Sequence, residues 1–286
     1  MIIIIDGNVA DISFENEKTL SDVLAGLDRW ARDSGFCLTR VSAGGTDVDD
    51  SDALFDREIK DIPTLTVETT PFPVFYREAL ELLSDTLRSW TESAPTGQAA
   101  IEEAWRKTPA ASFLAEYDNY LSNVLHCGFS GDSVKLAMVM VRERIEEAGD
   151  PAAVFLAMED RLNEEAERLL DLPLDLQTGC DKRAAETIER FSDFTGKILR
   201  LFMLLKCVII EKPDGGDMVL RDMVLRDMVL KDMVLIDEFN SALREFLSAY
   251  ENKDMVLSGD LAEYEIAPRI KSIYAMIKSK LVSAGI

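Results

Sequence analysis

Histidine is almost missing from this sequence. The single one, His126, leaves little of the usual equipment for proton transfer near neutral pH or for zinc ligation. Cysteine is sparse too. Cys37, Cys127, Cys180 and Cys207 lie far apart without a Cys-x-x-Cys pair, so they read as reduced, mostly buried thiols of a reducing compartment. Arginines and lysines never form a run longer than two, so no basic tract is available for phosphates. Glycine clusters only at Gly44-Gly45 and Gly215-Gly216. Neither has P-loop or dinucleotide spacing, and both read as turns. The most apolar stretch, Ile198 to Ile210, is interrupted by Arg200 and Lys206 and is too short to span a bilayer. The opening Met1-Ile2-Ile3-Ile4-Ile5-Asp6 lacks a basic flank and reads as a strand rather than a signal peptide, which makes the cytoplasm the expected location.

What is present is an acidic globular composition. Of 286 residues, 47 % are hydrophobic and 29 % charged, enough for a packed core. Fifty-three acids against 31 bases give a net charge of −22, which repels nucleic acid and anionic lipid. A protein partner is the expectation, with no nucleic-acid or membrane role.

The first 71 residues alternate strand and helix signals. Ile2–Ile5, a turn at Asp6-Gly7-Asn8 and the alternating Val9–Phe14 predict a hairpin. Thr19 to Asp22 opens a helix with Val23, Leu24, Leu27, Trp30 and Ala31 at helical spacing, stopped by Gly35. Strands follow at Phe36–Val41 and Thr64–Thr69, separated by an acidic excursion from Asp47 to Asp61. This ββαββ order and the Ile-Asp-Gly opening resemble the β-grasp, or ubiquitin-like, fold. The whole is similar to uncharacterised bacterial proteins that join such a head to an acidic helical body. The resemblance implies a scaffold or recognition module rather than an activity. The last strand runs into Pro71-Phe72-Pro73 instead of a free Gly-Gly tail, which gives conjugation chemistry no support.

From Pro73 onward the pattern is helical. Helices are predicted over Val74–Trp90 (apolar at Phe75, Ala79, Leu82, Leu83 and Leu87), Ala100–Trp105, Phe113–Leu125 and Val134–Ile145. Another starts at the Asp150-Pro151 cap and runs to about Leu170, followed by a loop over Leu172–Cys180 containing Pro173. Asp181 caps a helix to about Glu211, Asp217–Lys253 is a long one, and Gly259-Asp260 opens the last, kinked at Pro268. The expected fold class is therefore α+β: a small β-grasp-like domain, 1–71, followed by a mainly α-helical bundle, 72–286.

Within that long helix Asp-Met-Val-Leu repeats four times, from Asp217, Asp222, Asp227 and Asp232, and recurs at Asp254. Five residues turn a helix by about 140°, so the repeat builds no single stripe. It reads first as a tolerated duplication, with a Met-rich adaptable binding helix as the alternative. Tolerance has a physical basis, because Asp217/Arg221, Asp222/Arg226 and Asp227/Lys231 are acid-to-base pairs four apart, worth about 0.2–0.5 kcal/mol each.

The chemistry-bearing residues do not assemble into a motif. His126 and Cys127 are adjacent on a helix and cannot face one another, so a partly buried structural histidine is expected. Asp47, Asp49, Ser51, Leu54 and Glu58 echo a calcium loop, but the sixth position, where glycine is needed, is Asp52. An acidic surface loop is the reading. The pairs Glu146-Glu147 and Glu164-Glu165 are expected to be solvated faces. No catalytic, cofactor-binding or metal residue is assigned, and no cofactor. The function expected is a non-enzymatic interaction protein, an adaptor or chaperone-like holder of another protein. The alternative is an enzyme whose site has no linear motif.

Overall fold

A computed structural model describes residues 1–10, 12, 17–48, 55–126, 128–211, 218–283 and 285, with backbone alone for 207–211 and 218–233. The chain divides into two compact units, Met1–Gly149 and Asp150–Ile286. The arrangement is α+β, a mixed five-stranded sheet followed by helices.

In the first unit β1 (Ile2–Ile5) and β2 (Asn8–Ala10) form the predicted hairpin, turned by Asp6 and Gly7 at φ 49° and 81°. Those positive φ values suit a two-residue primed turn, whose twist matches that of the strands. Asp6 also accepts hydrogen bonds from the Thr69 backbone N–H at 2.7 Å and the Thr69 hydroxyl at 2.6 Å, tying the turn to the final strand. Helix α1 (Leu20–Asp33) begins in a capping box: Thr19 Oγ1 accepts from the Asp22 N–H at 3.3 Å, and the Asp22 carboxylate accepts from the Thr19 N–H at 3.0 Å. Strands β3 (Phe36–Ala43), β4 (Thr46–Asp47) and β5 (Thr64–Pro71) complete the sheet in the order β2-β1-β5-β3-β4. Only the β1–β5 pairing is parallel. Leu20, Val23 and Leu27 of α1 pack on Ile3, Leu65 and Val67 of the sheet. The two-residue β4, closed on β3 by Gly44-Gly45, is not among the strands the sequence predicts, and its Asp47 is the first residue of the acidic excursion.

Helix α2 (Phe72–Glu92) leaves β5 directly, with Pro73 in its first turn where a missing N–H costs nothing. It is followed by α3 (Pro95–Arg106), α4 (Pro109–Tyr117), α5 (Asn119–His126) and α6 (Gly131–Gly149). The single helix predicted over Phe113–Leu125 is thus two, because buried Asp118 leaves the helical path and caps the second through the Leu121 N–H at 3.1 Å. Tyr76, Leu80, Leu83 and Leu87 form the buried face of α2, which packs along α6; Leu82, expected on it, is exposed.

The described residues of the second unit form helices joined by short turns: α7 (Pro151–Leu156), α8 (Glu159–Gln177), α9 (Asp181–Glu211), α10 (Met218–Glu251), α11 (Met255–Asp260), a π-helical turn at Leu261–Ile266, and α12 (Ala267–Ser283). Asp150 caps α7 as expected, accepting from Ala153 N–H at 3.0 Å, but that helix stops at Leu156. Conversely, the loop predicted over Leu172–Cys180 is mostly helix, because α8 continues through Pro173. Leu169, Leu172 and Leu176 are buried on one face, and their burial, about 1.5–3 kcal/mol each, outweighs the hydrogen bond that proline removes. The last helical stretch opens at an Asp254 cap rather than at Gly259. Pro268 falls in the first turn of α12 just after the π-helical turn, so the wide turn precedes the proline instead of a mid-helix kink. The repeat from Met218 onward is backbone of α10, while Asp217 lies outside the described residues.

Candidate functional site

A cleft of 590 Å³ lies within the first unit, between α1, the β3–β4 end of the sheet and α4. Its size falls in the range of roughly 300–1,000 Å³ usual for ligand pockets. Leu24, Leu38, Val41, Phe75 and Phe113 supply apolar lining, and Asp28, Arg32, Arg40, Asp47 and Glu116 supply charge.

Each charged group is placed by a local feature. Arg32 sits in the last turn of α1, one turn beyond Asp28, which it meets at 2.7 Å. Its guanidinium forks onto Glu116 of α4, with Nη2 to Oε2 at 3.1 Å and Nη1 to Oε1, and its carbon lies 5.3 Å from the Tyr117 ring centroid. The hydrogen bond to Glu116, more than any other interaction, raises the Arg32 pKa and keeps the guanidinium charged. Burial, only partly offset by Arg32, pushes the Tyr117 phenol up to about 12, so it stays neutral. Tyr117 in turn belongs to an aromatic group with Phe72, Phe75 and Phe113, centroids 4.7–5.6 Å apart, which holds α4 to the start of α2.

Arg40 owes its position to an irregularity. The β3–β5 register shifts between Leu38 and Arg40, and the in–out alternation breaks so that Thr39 and Arg40 are both exposed. A bulge of this kind re-aims side chains at a sheet surface. Arg40 then grips Asp47 of β4, Nε to Oδ1 at 3.2 Å and Nη2 to Oδ2 at 2.9 Å, with Glu68 at 3.9 Å. That hydrogen bonding lowers the Asp47 pKa below its ordinary value and raises that of Arg40. The pairs are solvent-exposed, so they set the shape of the rim more than the stability of the fold. Cys37, a buried cysteine, lies in the wall.

The residues singled out in the sequence are not gathered here, apart from Asp47 at the rim. His126, expected to be partly buried, is exposed at the end of α5, where an exposed helix end replaces the anticipated packing; Cys127 lies outside the described residues. Of the acidic loop, Asp47 is held by Arg40 and Glu58 pairs with Lys60, while positions 49–54 lie outside the described residues. Among the described residues, no group of three His, Cys, Asp or Glu is arranged to hold a metal. The glutamate pairs divide: Glu146 and Glu164 are exposed, but Glu147 and Glu165 are buried, contrary to the expectation of fully solvated faces. Glu165 is turned inward under Arg190, whose Nη2 donates to Oε1 at 2.9 Å. The most buried ion pair among the described residues, Asp118 with Arg144, has no signature in the sequence, because its members stand 26 positions apart, one in the break between α4 and α5 and the other in α6.

A mixed-sheet head continuing into helices, with a cleft at the sheet's edge, defines the class. Residues 1–71 are similar to a family described as the TP0873 N-terminal domain, and residues 154–276 to a domain of unknown function, DUF8042. No curated protein and no solved structure matches the chain. Among the described residues, no helix is long and apolar enough to cross a membrane.

Proposed function

We propose that the chain is a non-enzymatic protein-interaction module, an adaptor or chaperone-like protein of the cytoplasm, and that the cleft of the first unit receives a segment of its partner. The carrying observation is the cleft's composition: an apolar floor rimmed by charges that are already paired with one another. Arg32, bonded to Glu116, and the Arg40–Asp47 pair are shifted towards their charged forms. That suits a fixed recognition surface better than a group poised to exchange protons. A β-grasp assignment for the head agrees with this reading. The strand order β2-β1-β5-β3-β4, the parallel pair at its centre and α1 across one face support that assignment. Cys37 and Cys180, which form no disulfide among the described residues, suit a reducing compartment. With a net charge of −22 and three acids among the five charged lining groups, the fitting partner segment is apolar with basic flanks.

The test uses Ser112→Trp in the full chain. Ser112 is exposed on α4 and lines the cleft, so the indole fills the space without entering the core. Cross-linking in a lysate, read by mass spectrometry, should give a partner whose cross-links fall on the cleft and vanish in the variant. Equal capture by both proteins, with unchanged melting, overturns the reading.

A further inference from the structure

The cleft of the first unit meets β3 along its edge. Five consecutive residues of that strand, from Cys37 to Val41, line the cleft. A cavity lying over one face of a strand touches alternate residues, so a wall of consecutive ones marks a cavity that follows the strand's edge. The hydrogen-bond register shows why this edge is open. Gly35 O accepts from the Phe72 N–H at 2.9 Å on the β5 side, so the alternation of the strand turns the Leu38 N–H and C=O to the outer side. Val41 O also faces outward, where it accepts from the Val48 N–H at 2.9 Å beside the β3–β4 pairing. Outward-facing residues of a regular strand stand two apart, but Leu38 and Val41 stand three apart, because the bulge between Leu38 and Arg40 adds a residue. The ladder with β4 stops at that step. Leu38 is half-buried in the cleft wall, and among the described residues nothing pairs with its N–H and C=O on the outer side.

We propose that the partner's segment enters this cleft as an added β-strand, pairing its main chain with the Leu38 N–H and C=O. The inference rests on the interaction reading above and adds the conformation in which the segment is bound. The open edge asks for a donor and an acceptor together, which an extended main chain supplies and a helix does not, since a helix spends its backbone groups on itself. The walls suit the same occupant. Leu24 of α1 and Phe113 of α4 offer apolar surface to side chains that alternate along a strand. Because α1 and α4 flank the cleft, a lone extended segment reaches the edge more readily than the rim of a second folded sheet, which guards the molecule against edge-to-edge association. Charge selects among extended segments: Asp28, Asp47 and Glu116 outnumber Arg32 and Arg40 in the lining, so basic residues in the segment are favoured. Main-chain pairing then supplies affinity, and the alternate side chains supply specificity.

The probe is a short peptide selected on the full native chain from a random phage-displayed library, then synthesised in two further forms, one N-methylated at its odd amides and one at its even amides. N-methylation removes the donor and leaves the side chains as they were. Only one parity of an added strand faces β3, so one methylated form should lose affinity by roughly tenfold or more while the other binds like the parent. The Leu38 amide should also exchange more slowly in the complex, read by NMR hydrogen exchange. These changes are made in the peptide, so the protein's fold is not at stake. A peptide that binds the native chain but not Ser112→Trp, yet responds equally to both methylation patterns or leaves Leu38 exchange unchanged, overturns strand addition and leaves the cleft reading standing. If every selected peptide binds Ser112→Trp as well as it binds the native chain, both are overturned.

Discussion

Asp118 joins three helices through one carboxylate, and removing it should be the most damaging single change in the first unit. Its Oδ1 accepts from the Leu121 N–H at 3.1 Å, which caps α5, and from Arg144 Nη2 at 3.2 Å. Its Oδ2 accepts from the Tyr76 hydroxyl of α2 at 3.0 Å and from Arg144 Nε of α6. Both members of the ion pair are 2 % exposed at the side chain. Asp118→Ala therefore strands a guanidinium that cannot shed its proton, and the expected loss is about 3–5 kcal/mol. The lost cap adds about 1 kcal/mol. Arg144→Met strands the carboxylate instead, at a similar cost. The double variant Asp118→Leu/Arg144→Met removes both charges, so it should lie several kcal/mol above the sum of the singles. The sequence supplies a reporter: Trp30, Trp90 and Trp105 all belong to the first unit, so tryptophan fluorescence during urea unfolding follows that unit within the intact chain. At a slope of about 2 kcal/mol/M, Arg144→Met should lower the midpoint by roughly 1.5–2.5 M and Asp118→Ala, with its lost cap, by roughly 2–3 M. A loss under about 1 kcal/mol, or additive singles, would refute the account of a buried pair whose cost lies in being broken.

Three further outcomes are expected. A Cβ at Gly259 would come within 2.9 Å of Pro173 Cβ and 3.1 Å of its Cα, so Gly259→Ala should destabilise the second unit by about 1–3 kcal/mol in thermal unfolding followed by circular dichroism; a silent substitution would mean that α11 does not approach α8 so closely. The Asp47 carboxyl is held below its ordinary 3.8 by hydrogen bonding to Arg40, so the pair's stabilisation is complete above that pH and disappears as pH falls through the depressed value. The stability gap between native chain and Asp47→Asn should accordingly shrink on acidification below about pH 4, and a gap that widens would contradict the pairing. In α10 the buried Ile236, Phe239, Ala242 and Phe246 follow the repeat, so deleting one five-residue unit shifts their phase by about 140° and should lower the melting temperature more than deleting three units, which leaves about 60°; equal melting would uncouple the repeat from that face.

Local backbone chemistry was legible in the sequence where one residue decides it. Thr19 with Asp22, Gly35, Asp6-Gly7 and Asp150-Pro151 each act through a cap or a positive φ and appear where their residue types place them. Features decided by packing were not. Proline argues against helix at 173, yet three buried leucines on the same face carry the helix past it. Periodicity places Leu82 on a buried face, and it is half exposed, because a 3.6-residue period fixes a stripe but not how wide a neighbour covers it. The cleft was invisible for a related reason. Arg32 and Glu116 are 84 positions apart, and the bulge that exposes Arg40 beside Thr39 has no residue signature in β3.

Charge held information that its average conceals. A chain with 22 more acids than bases suggests carboxylates at the surface, and most pairs of the Glu146-Glu147 kind were expected there. Asp118, Glu165 and Asp175 are nonetheless buried, and each meets an arginine: Arg144, Arg190 at 2.9 Å, and Arg183 through Nε at 2.7 Å. Acids are abundant here, so an acid's position says little. Bases are scarce, and a guanidinium offers a planar fork that lysine cannot. Arginine placement is therefore the more informative half of the charge pattern. Arg144 lies in α6 on the same face as Val134, Ala137, Met140 and Val141, a buried stripe that a charged residue enters only if a carboxylate waits inside. An arginine on an apolar helical face of a strongly acidic chain thus predicts a buried carboxylate from another helix, even when nothing in the sequence says which one.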